Sequence, residues 1–369
     1  MKLRMHWVSA ALVTALLAAC GGGGDDINNV KVVGDSLADS GTFGLKFTVQ
    51  GSALTGAGST PIWPELIAAD YGATLCPRYQ YTGATGFKDN PGCGNYAVGG
   101  GLINNPAAPN SPISIQRQLQ DLGAAGLSKR DLVLIDGGGN DIAALISAYL
   151  AGATDGGAAY AGILGTLLDA TQVQTLLSQG ATGQAQAGGA YMQAMAQQFA
   201  STITRQVLDK GGKHVAVLNI PDVTLTPKFG FVLGAIEQAQ GAEAAAQLKA
   251  LFGRWVQVFN DTLATQFKDD KRVAVVDFNG ALKDYAAHPS QYQLSNVTTP
   301  ACPIVGQDAS TGLPEYDFRT CSRGALSAMT PPAGATGGVD WWKGYMFSDA
   351  FHPTPRGHQL MADMVRKAL

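Results

Sequence analysis

A serine, a histidine and an aspartate stand where they can form the relay that activates a serine hydroxyl. Ser36 follows the β-branched run from Val30 to Val33, so its hydroxyl is expected where a strand ends. A serine becomes a nucleophile when a base accepts its proton and a third group orients that base. Of the five histidines, only His352 has an aspartate, Asp349, three residues before it. Taken singly, a helix-capping serine and a structural histidine are the more common interpretations of these residues.

Groups that can stabilise a negatively charged oxygen follow other strands. We expect Ser36 to begin a helix, where its own N–H would point at an anion. The run Gly99-Gly100-Gly101 lets backbone approach a substrate closely, and the amide of Asn140 follows three further glycines. A plain turn and a helix-capping asparagine are the alternatives for these two motifs.

Five apolar runs supply the elements that must position these groups: Val30 to Val33, Tyr96 to Val98, Asp131 to Ile135, His214 to Ile220 and Val273 to Phe278. None alternates with polar residues, which is typical of strands covered on both faces of a parallel sheet. Helical patterns lie between or after them, at 113–122, 191–208, 239–263 and 355–369. The pattern predicts an α/β sandwich with right-handed crossovers, whose ligands bind at the carboxyl ends of the strands.

Four motifs, in order along the chain, resemble the SGNH, or GDSL, hydrolase family. They are GDSLADSG at 34–41, NYAVGG at 95–100, GGND at 138–141 and DAFHPT at 349–354. Two positions depart from the family pattern: Val33 stands where an aromatic residue is common, and Gly101 where alanine is usual. The chain has no G-x-S-x-G elbow, which counts against an α/β-hydrolase.

The resemblance implies a three-layer, flavodoxin-like α/β/α sandwich with about five parallel strands, and a serine ester hydrolase. Ser36 would be the nucleophile and would form an acyl-enzyme. His352 would be the general base and then the general acid, and Asp349 would orient the imidazole. No metal and no organic cofactor is implied.

The resemblance also implies an oxyanion hole. Its donors would be the N–H of Ser36, the N–H of Gly100 and the side chain of Asn140. Three consecutive glycines leave Gly99 as the alternative to Gly100. Asp39 matches the extended first motif, and we expect it to form structural hydrogen bonds near Ser36.

The overall composition indicates which kinds of partner the protein can bind. Of the 369 residues, 47 are glycine and only 14% are charged, against a typical value of about 25%. The pI near 5.9 and the lack of a basic run argue against nucleic-acid binding. We expect a monomer whose partner is a small-molecule or lipid ester.

The first residues read as a targeting segment. Lys2 and Arg4 precede the apolar run from Val8 to Leu17, which is too short to span a bilayer. The sequence that ends at Cys20 resembles a bacterial lipoprotein signal, with 1–19 removed and Cys20 carrying the lipid. Residues 20–28 would be a flexible tether and 29–369 the hydrolase domain. The protein would be anchored in the bacterial cell envelope, at the outer membrane, or, on the alternative of a plain secretory signal, secreted.

The other four cysteines, Cys76, Cys93, Cys302 and Cys321, are an even number, as expected for disulfides in an exported protein. Three pairings are open. We favour the local pairs Cys76–Cys93 and Cys302–Cys321, which close loops of similar size. No C-x-x-C motif supports a zinc site.

Two stretches are longer than the connections between strands require, and both are relevant to which substrate binds. Residues 145–190 would be a helical lid or a surface excursion, and residues 286–345 would be loop-like. The low charge, the apolar stretch from Leu164 to Leu177 and the lipid anchor favour acyl or lipophilic esters. The segment from Phe229 to Ile236 would line an acyl groove or belong to the core.

Two other functions remain open. A carbohydrate O-acetylesterase would need aromatic platforms, for which Trp63, Trp341, Trp342 and Tyr345 are the candidates. An inactive surface lipoprotein could keep the fold as a binding module. The complete set of Ser36, Asn140, Asp349 and His352 argues against that last alternative.

Overall fold

The computed structural model describes residues 27–84 and 86–369. Its strands are β1 (Asn29–Val33), β2 (Tyr79–Tyr81), β3 (Phe87–Asp89), β4 (Asp131–Ile135), β5 (His214–Leu218), β6 (Val273–Val276), β7 (Asn296–Pro300), β8 (Gly306–Gln307), β9 (Pro314–Glu315) and β10 (Tyr345–Phe347). Its α-helices are α1 (Trp63–Asp70), α2 (Ile115–Ala125), α3 (Gly139–Asp155), α4 (Ala158–Leu164), α5 (Ala170–Leu177), α6 (Gly180–Ile203), α7 (Pro227–Gln240), α8 (Ala242–Phe267), α9 (Phe278–Ala287), α10 (Arg323–Ala328) and α11 (Pro355–Ala368). The predicted signal 1–19 and the lipid-attachment residue Cys20 lie outside the described residues.

The central sheet consists of four parallel strands in the order β1-β4-β5-β6. Its register pairs Val33 with Ile135, Ile135 with Val217, and Leu218 with Val276. All five residues of β4 are buried, as expected for a strand covered on both faces. The carboxyl ends of β1 and β4 therefore meet at one edge of the sheet.

Four of the five predicted strands form, but the strand predicted from Tyr96 to Val98 does not. The segment runs beside β1, where the N–H of Tyr96 donates to the carbonyl of Val32 and that of Val98 to the carbonyl of Gly34. The side chain of Asn95 accepts the N–H of Ala97 and donates to the carbonyl of Ala38, so the ladder stays irregular. The prediction of five strands is therefore corrected to four strands plus this edge segment, which lies in the place of the second strand in a flavodoxin-like order.

Helices cover both faces of the sheet, which makes the three-layer sandwich. Alternate strand residues such as Val133 and Val217 pack against α2, α3, α6 and α8. Their neighbours Leu134 and Ala216 pack against α1, α9 and α11 on the other face. A third buried cluster, which includes Trp341, lies beneath the long 286–345 excursion.

Several predicted helical regions have different boundaries in the structure. The helix predicted at 191–208 begins earlier, because α6 starts at Gly180. The pattern over 239–263 is divided at Gly241, whose φ of +92° ends α7 before α8 begins. The stretch 145–190 is helical and is packed against α8: Tyr149 and Tyr160 contact the Trp255 ring. Residues 286–345 are mostly loop, with the small strands β7, β8 and β9. In the described part of the chain, no helix is long and apolar enough to cross a membrane.

Candidate active site

Ser36 lies in a tight turn directly after β1. The carbonyl of Asp35 accepts the N–H of Ala38, and the carboxylate of Asp35 accepts the N–H of Leu37. The expectation that Ser36 begins a helix is wrong, because no helix begins between Ile27 and Ile62, and α1 starts at Trp63. The carboxylate of Asp39 accepts the N–H groups of the following residues and so folds the chain into a loop instead.

The turn requires glycine at position 34, because a Cβ there would lie 1.4 Å from Oδ1 of Asp136. Oδ1 of Asp136 accepts the backbone N–H of Asp35 at 3.2 Å, so the buried carboxyl of Asp136 contacts the Ser36 turn. Burial raises the pKa of Asp35. Burial and the charge of Asp35 raise the pKa of Asp136 well above its usual value, so Asp136 keeps its proton to higher pH than an exposed carboxyl does.

His352 and Asp349 reach Ser36 from a loop more than 300 residues away. His352 Nε2 lies 2.7 Å from Ser36 Oγ, and His352 Nδ1 lies 2.8 Å from Asp349 Oδ2. The other oxygen of Asp349 accepts the N–H groups of Phe351 and His352 at 2.8 and 2.6 Å. The predicted serine, histidine and aspartate are thus brought into one hydrogen-bonded line.

The surroundings of Asp349 favour its charged form. Burial alone would raise its pKa, but the facing His352 and the two backbone donors outweigh burial and hold the pKa below the usual value. An ionised Asp349 fixes the proton of His352 on Nδ1. Nε2 is then free to accept the hydroxyl proton of Ser36.

The glycine run passes close to the Ser36 turn. A Cβ on Gly101 would lie 2.9 Å from the carbonyl oxygen of Gly34. Asn140 lies in the first turn of α3, and its Nδ2 donates to the carbonyl of Gly101 at 3.0 Å. Ser36, the glycine run and Asn140 therefore share one corner of the molecule.

The hydrogen bonds distinguish Gly100 from Gly99. The N–H of Gly99 donates to Asp39 Oδ2 at 2.8 Å, and that of Gly101 donates to the carbonyl of Val98. Within residues 27–84 and 86–369 the N–H of Gly100 has no acceptor, and its φ is +77° with open space around it. The geometry favours Gly100 as the donor that faces a substrate.

Buried carboxylates fix the loops that carry these donors. Asp39 accepts from Gly41, Thr42 and Gly99, and burial raises its pKa to about 6. Asp141 accepts the N–H groups of Ile103 at 3.0 Å and Asn104 at 2.9 Å, and burial raises its pKa to about 7. The structural role expected for Asp39 agrees with these bonds.

Aromatic rings enclose His352, and no sequence pattern predicts them. Phe47 stacks on the imidazole with centroids 5.1 Å apart and 30° between the planes. Phe318 meets the imidazole edge-on at 5.6 Å. The Phe47 ring also packs on the oxyanion loop, because a Cβ on Gly99 would lie 2.4 Å from its Cζ. Neither Phe47 nor Phe318 belongs to one of the four motifs, so only the fold reveals their contact with His352.

The structure pairs the cysteines locally, Cys76 with Cys93 and Cys302 with Cys321. The second disulfide adjoins the candidate site, since the N–H of Cys302 donates to the carbonyl of Ser348 at 2.7 Å. In the described chain, no group of three or more His, Cys, Asp or Glu side chains is placed to hold a metal ion.

The structure decides two questions about the substrate that the sequence left open. The candidate aromatic platforms are at most 4% exposed, so they are core residues: Trp63, Trp341, Trp342 and Tyr345. Phe229 is buried in the first turn of α7. An apolar cavity does adjoin Ser36, and Leu218, Val223 and Thr226 are among the residues that line it, whereas no residue of 229–236 does.

Comparison with known proteins gives one family. The model of the family described as GDSL-like lipase/acylhydrolase matches residues 30–365. Among solved structures, an extracellular lipase from Streptomyces rimosus is similar at 17% identity and a TM-score of 0.39, with 93% of this chain and 100% of that chain covered. No curated protein matches the sequence.

Proposed function

The chain belongs to the GDSL-like lipase/acylhydrolase family, and from that premise we propose that it hydrolyses carboxylic esters through an acyl-enzyme on Ser36. The observation that carries the proposal is the line from Ser36 Oγ through His352 to Asp349, with distances of 2.7 and 2.8 Å. A nucleophile within hydrogen-bond reach of a base that is itself oriented is the arrangement that acyl transfer requires.

The steps follow from this geometry. Ser36 Oγ attacks the ester carbonyl carbon while its proton passes to His352 Nε2. The C–O bond to the alcohol then breaks, and the alcohol leaves with the proton from His352. Water attacks the acyl-enzyme, gives a proton to His352, and releases the acid as that proton returns to Ser36 Oγ. Asp349 stabilises the imidazolium at each proton transfer.

Charge that develops on the carbonyl oxygen would be stabilised by three donors: the N–H of Ser36, the N–H of Gly100 and the side chain of Asn140. The N–H of Gly100 has no acceptor among the residues that the structure describes, which supports its place in this set. The carbonyl of Gly101 takes one hydrogen of the Asn140 amide, which orients the amide and leaves its second hydrogen for the oxyanion. Donors fixed before the reaction stabilise the transition state without reorganising.

Lipophilic esters are the substrate class that we propose. The cavity beside Ser36 is lined mostly by apolar side chains. Removal of acetyl groups from a polysaccharide is less well supported, because the four aromatic side chains proposed as stacking platforms are buried. An inactive binding module would have no need of a complete hydrogen-bonded relay.

The location proposed for the enzyme is the cell envelope or the outside of the cell. Two disulfides support export, since disulfides persist in oxidising compartments. Lipid attachment at Cys20 remains a proposal from the sequence.

Hydrolysis of 4-nitrophenyl acetate and butyrate by the full chain tests the proposed function. Wild type should release 4-nitrophenol, and Ser36→Ala should reduce the rate to background. Ser40→Ala is the matched control, because Ser40 is also buried, only four residues along the same loop, and it should keep activity. Equal activity of wild type and Ser36→Ala would refute the assignment of Ser36.

A further inference from the structure

An apolar cavity opens beside Ser36 at the carboxyl edge of the sheet. Ser36 and Gly139 lie at its wall, and its interior is formed mainly by apolar side chains: Leu218, Val223, Phe278, Leu282, Met346 and Phe351. Asp35 and Asp136 contribute the acidic part of the wall. The cavity thus joins the proposed nucleophile to the core between β5, β6 and the loop that carries His352.

The position of the cavity relative to the proposed catalytic groups indicates which part of an ester would enter it. In the acyl-enzyme the carbonyl oxygen faces Gly100 and Asn140, and the alcohol leaves on the side of His352. Of the described residues that line the cavity, none is Gly100, Asn140 or His352, whereas Ser36 itself is one. The carbonyl carbon carries three groups: the oxygen, the alcohol and the acyl chain. The cavity lies on neither the oxygen side nor the alcohol side, so it would receive the acyl chain.

The size of the cavity limits that chain. Its volume is about 40 Å³, which is room for about three groups the size of a water molecule. We propose that the cavity binds the acyl chain of the substrate and restricts it to a total of about four carbon atoms. The inference rests on the proposed ester hydrolysis at Ser36.

The floor of the cavity is rigid. Leu282, Phe278 and Met346 are each buried in the core cluster on this face of the sheet. A longer chain would have to displace these side chains, and a well-packed core resists added methylenes. The limit is thus set by residues that do not take part in the chemistry.

A series of 4-nitrophenyl esters from acetate to palmitate tests the inference with the full chain. Wild-type kcat/KM should be highest between acetate and butyrate and should fall at least about tenfold by octanoate, because one misplaced methylene costs about that much. Leu282→Ala should deepen the cavity and raise the octanoate-to-butyrate ratio about tenfold. Leu360→Ala is the matched control: Leu360 is buried in the same cluster but does not line the cavity, so the ratio should stay at the wild-type value.

Ratios of two substrates within one preparation do not depend on the fraction of folded enzyme. Val223→Leu is a second variant. It should narrow the cavity and lower kcat/KM for butyrate relative to kcat/KM for acetate. A wild-type preference for octanoate or longer esters would overturn the inference and leave ester hydrolysis standing, as would equal ratios in Leu282→Ala and Leu360→Ala. Absence of any Ser36-dependent hydrolysis would overturn the proposed function together with it.

Discussion

The nucleophile side and the base side of the proposed active site are held by different contacts. The nucleophile side comprises residues 34–41, 99–104 and 136–141, whose loops are fixed by the buried carboxylates of Asp39 and Asp141. The base side comprises residues 45–50, 302–321 and 346–353. There the N–H of Val49 donates to Ser348 Oγ, 299 residues away.

The difference lies in the distance along the chain. On the nucleophile side, backbone N–H groups donate hydrogen bonds to carboxylates in neighbouring loops at the end of the sheet. The base side depends on the 286–345 excursion, which brings Phe318 and Cys302 to the His352 loop. Damage to the excursion should therefore impair the base and spare the oxyanion donors. Four experiments follow, in descending order of the expected effect on kcat.

Asn140→Ala removes a proposed oxyanion donor on the nucleophile side. We expect kcat for 4-nitrophenyl butyrate to fall about 10²–10³-fold with a smaller change in KM, since the donor acts mainly in the transition state. Steady-state kinetics give both constants. An unchanged kcat would remove Asn140 from the oxyanion hole.

Phe47→Leu removes the ring that stacks on the imidazole on the base side. A ring face stabilises a nearby cation by about 0.5–2 kcal/mol, so kcat should fall about two- to thirtyfold as the imidazolium loses that support. Phe47→Tyr keeps the ring face and should restore most of the rate. If leucine and tyrosine were equally slow, the ring would serve packing alone.

The two disulfides form a matched pair. They span 17 and 19 residues, so loss of either should cost a similar free energy of unfolding, about 3 kcal/mol. The double variant Cys302→Ser/Cys321→Ser should lower kcat a few-fold, because the His352 loop loses its anchor. Cys76→Ser/Cys93→Ser should be equally destabilised in thermal unfolding but keep its kcat at 20 °C. Equal losses of kcat would contradict the division into two sides.

Asp141→Asn should have the smallest effect on turnover and a clear effect on pH dependence. The pKa of Asp141 is about 7 in the fold and about 3.9 in an unfolded chain. Between those values the native state binds more protons than the unfolded state, so this residue makes stability fall as pH rises from 4 to 7. The Tm of wild type should drop more steeply over that range than the Tm of Asp141→Asn.

Asp308→Asn is the control for that comparison. The pKa of Asp308 is about 2, because Ser310 and Thr311 donate to its carboxylate, so the residue stays charged between pH 4 and 7. Its variant should follow the wild-type curve. Parallel curves for wild type and Asp141→Asn would show that Asp141 takes up no proton on folding.

The contrast between the two sides also explains what could be predicted from the sequence. Strand runs, glycine motifs and the Asp349–His352 spacing are local patterns, and each predicts a local structure. The irregular segment beside β1 was missed because an Asn95 side chain competes with the ladder, which a run of apolar residues does not reveal. Phe47 was missed because its partner is 305 positions along the chain. The burial of Trp341, Trp342 and Tyr345 could not be predicted, because long-range contacts set the packing of the excursion.

The central claim is that His352 activates Ser36, and covalent labelling tests it most directly. The full chain would be treated with a fluorophosphonate, and the modified peptide identified by mass spectrometry. The account predicts a single label on Ser36 and a rate about 10²–10⁴-fold lower in His352→Ala. A label on another residue, or an unchanged labelling rate of Ser36 in His352→Ala, would contradict it.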